Sequence, residues 1–236
     1  MDAAMEAGEK LRLPAGEAHH VRKVLRGRAG DSLEVVDGGG NLYCAELLDG
    51  DEALVLGELE VPVGSAEDVE VTLYQAVPKG GRMDLVVEKA TEVGVTAIVP
   101  LLTGRGLVRP RGGKVERWRR VAKAAARQAL RLRVPEVREP VPFVEAVRSV
   151  GVGGIVLHNA EGLARLEDVI GVRAALFVGP EGGWEENELW HAEEAGLQIV
   201  GLGPFRLRSE TAGIVAVARA RGALEDRLVG RRGEKV

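Results

Sequence analysis

From residue 71 onward the sequence alternates two patterns, and that alternation leaves few folds open. Five short apolar runs, Val71–Val77, Val95–Leu102, Gly154–His158, Ala174–Val178 and Gln198–Leu202, have the length of buried strands. Between them lie segments whose apolar residues recur every three or four positions. Met83, Val86, Val87 and Ala90 form such a stripe in Met83–Val93, with Gly94 at the position that ends a helix. Trp118, Val121, Ala122, Ala125, Ala129 and Leu132 form another in Val115–Arg133, with Pro135 just beyond it. Helices also fit Trp184–Ala195 and roughly Thr211–Leu224. Strands apolar along their whole length need cover on both faces, and the intervening helices supply it. The expected class is α/β with a mostly parallel sheet.

The first sixty residues read differently. Glu17–Arg26 fits a short helix with Val21, Val24 and Leu25 turned inward. Three strand candidates follow, Ser32–Val36, Leu42–Leu48 and Ala53–Leu59, and Asp37-Gly-Gly-Gly-Asn41 is a hairpin signal between the first two. Short strands at this spacing predict a small β-barrel. Val61-Pro-Val-Gly-Ser-Ala-Glu-Asp68 reads as a linker, so the expected domains are 1–62 and 68–236. A chain of 236 residues accommodates one large and one small domain.

Composition narrows the setting. No apolar run reaches the roughly 18 residues of a membrane span. MDAAMEAGEK has neither the basic nor the apolar region of a secretion signal. A single cysteine, Cys44, gives no internal disulfide, and His19, His20, His158 and His191 lack ligand spacing. A cytoplasmic protein with no metal site and no membrane partner is expected. Net charge is −4, but the basic residues cluster. From Arg105 to Arg133 eleven Arg or Lys face one acid, Glu116, and Arg22, Lys23, Arg26 and Arg28 form a second group. Local basic patches on an acidic background suit a polyanion such as RNA, although a solvated helix face has the same composition.

Three segments carry chemistry. Phe177-Val-Gly-Pro-Glu-Gly-Gly-Trp184 takes an apolar strand into a glycine-rich turn where the backbone can approach a ligand. Ligands of open α/β sheets sit beyond the C-terminal strand ends. Glu185, Glu186 and Glu188 at the start of the next helix suit its dipole and would repel a phosphate, so a neutral or cationic ligand portion is expected there. Gly201-Leu-Gly-Pro-Phe-Arg-Leu-Arg-Ser-Glu-Thr-Ala212 places Arg206 and Arg208 on opposite sides of an extended chain, with Ser209 a reasonable helix cap. Val77-Pro-Lys-Gly-Gly-Arg-Met83 puts Lys79 and Arg82 where a strand meets a helix. Signatures of zinc proteases, dithiol sites, P-loops and nucleophile elbows are missing from the sequence.

In order and spacing, these segments together resemble the 16S ribosomal RNA uridine N3-methyltransferase family, within the SPOUT superfamily of trefoil-knotted methyltransferases. His20-Val-Arg-Lys-Val-Leu-Arg26, Gly30-Asp31 and Asp37-Gly38 look like that family's PUA-like RNA-binding domain. Lys79-Gly-Gly-Arg-Met83, Lys89-Ala-Thr-Glu-Val-Gly94, Trp118, Gln128, Arg131 and Pro135 follow its middle motifs. Gly179-Pro-Glu-Gly-Gly183, Leu202-Gly203 and Leu207-Arg208 with Glu210-Thr-Ala212 look like its cofactor-binding end. The sequence departs from the pattern in three places. MDAAMEA lacks an Arg–aromatic pair, Phe205-Arg206 stands where Arg and an aliphatic residue are usual, and Arg127-Gln-Ala129 replaces Glu-Gln-Ser.

The resemblance implies a knotted homodimer that binds S-adenosyl-L-methionine and acts on 16S rRNA, within a 30S subunit or its precursor. Its implied cofactor contacts are Leu157, His158, Asn159, Gly179, Pro180, Glu181, Gly182, Gly183, Leu202, Gly203 and Leu207. Uracil N3 carries a proton, so an arginine to stabilise the anion and a carboxylate to accept the proton are needed; Arg208 and Glu210 are the candidates. The expected RNA contacts are Arg22, Lys23, Arg26, Lys79, Arg82, Arg105, Arg117, Arg120 and Arg131. Three other readings stay open: a non-catalytic RNA-binding or ribosome-assembly protein of the same fold, a tRNA methyltransferase acting on ribose 2′-O or guanine N1, and a small-molecule α/β enzyme.

Overall fold

The computed structural model describes residues 4–61, 69–110 and 112–233. Most of the expected linker, 62–68, and Arg111 of the basic run lie outside the described residues. The chain divides into two units, Met1–Ser65 and Ala66–Val236.

The first unit is a four-stranded antiparallel sheet. Its strands are β1 (Lys10–Arg12), β2 (Ser32–Val36), β3 (Leu42–Leu47) and β4 (Glu52–Leu59), in the order β1-β4-β3-β2. The β2–β3 hairpin is closed by Asp37, whose Oδ1 accepts the N–H groups of Gly39, Gly40 and Asn41 at 2.7, 3.1 and 3.1 Å. Burial works against the charged form of Asp37, but the backbone N–H groups outweigh it and hold its carboxyl below the ordinary value. The helix begins at Ala15 and changes character midway: α1 (Ala15–His19) passes into a π-helical stretch, His20–Val24. There Leu25 N donates to His20 O, five residues back, at 3.0 Å. The wider turn rotates the face, so Val24 and Leu25, expected inside, are exposed; Ala18 is the buried residue and Val21 packs partly against the core.

The second unit is an eight-stranded sheet in which every described pairing is parallel. Its strands are β5 (Val71–Ala76), β6 (Ala97–Leu102), β7 (Glu136–Val137), β8 (Val141–Pro142), β9 (Gly154–Leu157), β10 (Ala164–Arg165), β11 (Ala174–Val178) and β12 (Gln198–Gly201). The order is β10-β12-β9-β11-β5-β6-β7, and β8 continues along the same edge of β6. The helices are α2 (Met83–Glu92), α3 (Lys114–Gln128), α4 (Phe143–Val150), α5 (Leu166–Val169), α6 (Glu186–Glu194) and α7 (Ser209–Gly233).

Alternate strand residues enter two cores. Val71, Leu73, Ile98, Ile155, Leu176 and Val178 join a core with residues of α2, α3 and α7. Tyr74, Val99, Leu101, Val156 and Phe177 join one with residues of α4 and α6. The few aromatic residues concentrate in the second: Tyr74 stacks on its cross-strand partner Phe177 at 4.3 Å, and Phe143 packs against Phe177 and Trp184.

The long basic helix is shorter than its periodicity suggested. α3 stops at Gln128; Leu130 takes a left-handed conformation (φ 52°), and Arg131 folds back so that its N–H bonds Ala126 O at 2.9 Å. Leu130 is therefore exposed, and Arg131 is buried. No described helix is long and apolar enough to cross a membrane.

Candidate active site

In a parallel sheet all C-terminal strand ends lie on one side. Here the ends of β9, β11 and β12 release three loops that surround one cavity of about 540 Å³. That volume matches a pocket for a cofactor-sized molecule. Leu157, His158 and Asn159 come from the end of β9, Gly179 to Trp184 from the end of β11, and Leu202, Gly203 and Phe205 to Ser209 from beyond β12. Arg105, from the loop after β6, and Ala212, in α7, complete the wall. All eleven residues expected to touch the cofactor lie in this lining, as does Arg208.

The turn after β11 is held from several sides. Trp184 donates from Nε1 to Leu157 O at 2.9 Å, tying the β11 loop to the end of β9. Its ring covers Gly179 so closely that a Cβ there would stand 3.0 Å from Trp184 Cε2. Gly183 and Gly203 have φ of 72° and 127°, a region that L-residues rarely occupy, which accounts for glycine in both loops. Arg105 Nη1 donates to Gly182 O at 3.0 Å. Glu181 Oε1 accepts Lys79 N–H at 3.1 Å and lies 3.7 Å from Arg82 Nη1, so the segment after β5 also braces this turn.

The acids that begin α6 stand at its start, where they suit its dipole as expected, and one of them has a second task. Glu188 is buried; its Oε2 accepts Glu185 N–H at 2.9 Å and its Oε1 accepts Gly104 N–H at 2.9 Å. It fastens the helix start to the loop after β6. Glu185, Glu186 and Glu188 are not in the cavity wall, and the carboxylate that is belongs to Glu181.

Ser209 opens α7, yet its hydroxyl does not cap the helix. It donates to Gly179 O at 2.6 Å and accepts from Gln75 Nε2 at 2.9 Å. The segment 202–208 thus starts at the end of β12 and arrives beside β11 and β5, passing the end of β9 on the way. Gln75 escaped the sequence reading; a buried glutamine inside an otherwise apolar strand was the available signal.

Other expected residues fall elsewhere. Glu210 is buried, stands 3.5 Å from Arg82 Nε, and is not part of the cavity wall. Arg131 donates from Nη1 to Thr91 O (3.1 Å) and Val95 O (2.6 Å); it ties off the end of α2 and drops out of the RNA-contact set. In the small unit Arg22 donates to Gly27 O at 3.2 Å, to Gly50 O at 2.7 and 3.0 Å, and to Leu48 O, so it pins loops together, whereas Lys23 and Arg26 are exposed. Arg117 pairs with Asp84 at 2.5 Å and keeps 60% exposure; Arg120 and Lys123 lie exposed on the same helix. Lys79 is exposed beside Glu181.

Residues 65–221 match the model of an RNA methyltransferase domain, and residues 13–60 match that of an RNA methyltransferase PUA domain. The ribosomal RNA small subunit methyltransferase E of Synechocystis sp. is 35% identical over 90% of this chain and 73% of its own. That of Mycobacterium bovis is 34% identical over 96% of this chain and 91% of its own. The chain belongs to the ribosomal RNA small subunit methyltransferase E family. A member of this family from Neisseria gonorrhoeae, solved bound to S-adenosyl methionine, superposes with a TM-score of 0.78 at 31% identity, covering 94% of this chain and 95% of that one. The methyltransferase E match spans both units, and it agrees with the mostly parallel sheet and the cavity at its strand ends.

Proposed function

We propose that this protein transfers a methyl group from S-adenosyl-L-methionine to N3 of a uridine in 16S ribosomal RNA. The observation that carries the reading is the cavity bounded by the loops after β9, β11 and β12, in a chain of the methyltransferase E family. Its wall fits the donor. Leu157, Val178, Pro180, Leu202 and Leu207 offer apolar surface to an adenosine, and main-chain groups at glycines dominate the turn. Glu181 supplies one negative charge suited to a cationic ligand. When bound, S-adenosylmethionine supplies the electrophilic methyl of its sulfonium.

Leu157, His158, Asn159, Gly179, Pro180, Glu181, Gly182, Gly183, Leu202, Gly203 and Leu207 hold the donor in this reading. Arg208 stabilises negative charge at the uracil carbonyls. The N3–H bond breaks and its proton passes to water. The freed pair forms the N3–CH₃ bond as the C–S bond breaks, leaving a neutral thioether. Holding the two reactants in line contributes most of the acceleration.

Lys23, Arg26, Lys79, Arg82, Arg105, Arg117 and Arg120 are assigned to RNA phosphates, within a 30S subunit or its precursor in the cytoplasm. With so few aromatic side chains, recognition of folded RNA by shape and phosphate suits the protein better than base stacking. The crossing made by residues 202–208 is read as the knot of the SPOUT superfamily, and the working form as a homodimer whose partner completes the site.

The test is to incubate the purified protein with 30S subunits and S-adenosylmethionine, digest the RNA and analyse the nucleosides by mass spectrometry. New 3-methyluridine in 16S rRNA is expected. Methylation on ribose or guanine, or donor binding without methyl transfer, would overturn the assignment.

A further inference from the structure

Gln75 is fully buried near the end of β5, flanked by Tyr74 and Ala76. A buried amide is costly unless its polar atoms are bonded. Its Nε2 donates to Ala76 O at 3.0 Å and to Ser209 Oγ at 2.9 Å. Because Ser209 Oγ accepts from Gln75, its own proton is available for Gly179 O at 2.6 Å. The polarity of this chain of bonds is fixed at its origin: the opposite amide orientation would place two acceptors, Gln75 Oε1 and Ala76 O, against each other.

Gln75 Oε1 accepts no hydrogen bond among the described residues and faces the backbone of α7. A Cβ added to Gly213 would overlap Oε1, so the helix can approach only because residue 213 has no side chain. The amide therefore sets the seat of α7 by contact and the orientation of Ser209 by hydrogen bonding. Ser209 and Gly179 both belong to the cavity wall, whereas Gln75 does not.

We infer that Gln75 is a positioning residue for methyl transfer: through Ser209 it fixes the carbonyl of Gly179, and with it the main chain against which the methyl donor lies. The inference rests on the reading of this cavity as the S-adenosylmethionine site. A plain packing residue would fill the same space without a donor group. The relay joins three segments that meet only in the folded protein: the end of β5, the first residue of the turn after β11, and the first residue of α7.

Two variants separate positioning from packing. Gln75→Met keeps the length of the side chain and removes its donor, and Ser209→Ala removes the middle of the relay. Calorimetry with S-adenosylmethionine, donor and RNA KM values, and thermal melting are measured on the full-length protein. Each variant should raise the donor Kd and KM about tenfold while the RNA KM stays within about twofold. The double variant should be no worse than either single one, because both break one relay. Unchanged donor affinity together with a lower melting temperature would overturn the inference, as would additive losses in the double variant. If the wild-type protein itself failed to bind the donor, the cavity reading would fall as well. Binding by wild type with equal binding by both variants would sink the role of Gln75 alone.

Discussion

The guanidinium of Arg82, at the head of α2, lies 3.5 Å from the carboxylate of Glu210, which is buried at the head of α7. Glu210 Oε2 accepts no hydrogen bond among the described residues, so the burial of this carboxylate leans on Arg82. Arg82 is 41% exposed, and solvent weakens the pair. Arg82→Ala should cost about 1–2 kcal/mol by leaving a buried acid without its partner. Glu210→Gln in the same chain should recover much of that loss. Urea unfolding of both single variants and the double variant measures the coupling; a loss in the double variant equal to the sum of the two single losses would show that the two do not interact.

Arg208 lines the cavity and is exposed toward it, without a carboxylate partner among the described ion pairs. Arg208→Ala should lower kcat by about a hundredfold, the scale of one transition-state donor, while donor Kd changes by less than about threefold. Steady-state kinetics beside calorimetry decide it. Parallel loss of turnover and donor affinity would make Arg208 a donor-binding residue.

The basic segment splits by structure into two groups with opposite expected phenotypes. Arg120 and Lys123 are exposed on α3, so Arg120→Glu with Lys123→Glu should leave melting nearly unchanged and weaken RNA binding. The slope of log K against log salt should flatten by about one for each phosphate that the variant no longer neutralises. Arg131→Ala should cost about 2–3 kcal/mol by stranding the carbonyls of Thr91 and Val95. A salt slope unmoved by the double reversal would identify that face as solvent surface.

Arg219 grips Glu167 at both carboxylate oxygens, Nε to Oε1 at 2.5 Å and Nη2 to Oε2 at 2.6 Å. That hydrogen bonding holds the Glu167 carboxyl below its ordinary value, against a smaller opposing effect of burial. A depressed folded-state value contributes stability above the unfolded-state value and loses it as pH falls through the folded one. Glu167→Gln should therefore destabilise the protein near neutral pH and converge with wild type in acid, below the ordinary glutamate range. Melting curves across that range check the sign; a gap that widened in acid would contradict it.

The parallel sheet was legible because β5, β6, β9, β11 and β12 are apolar on both faces, and each lies within two residues of where the pattern put it. The cavity was legible because glycines in the loops after β11 and β12 announce a close backbone approach. The edges were less so: β7, β8 and β10 have two residues each and carry no periodic signal. Charge was the poorest guide. Arg117, Arg120, Arg22 and Arg131 look alike in sequence, yet two are exposed and two spend their donors on backbone carbonyls. Whether an arginine serves the fold or a ligand depends on where distant carbonyls end up. Glu188 and Gln75 teach the same lesson, since their partners Gly104 and Ser209 are 84 and 134 residues away.

The dependence of the turn at Gly179 on Ser209 has a consequence for biosynthesis. Translation delivers strands β5 to β11 well before α7, and the cavity wall draws residues as late as Ala212. While α7 is still within the ribosome that makes it, the pocket has no floor at Ser209 and Gln75 has no helix to seat. The cavity wall is therefore incomplete until α7 emerges, and a messenger truncated before codon 209 yields a sheet without the part of that wall supplied by Ser209 and Ala212.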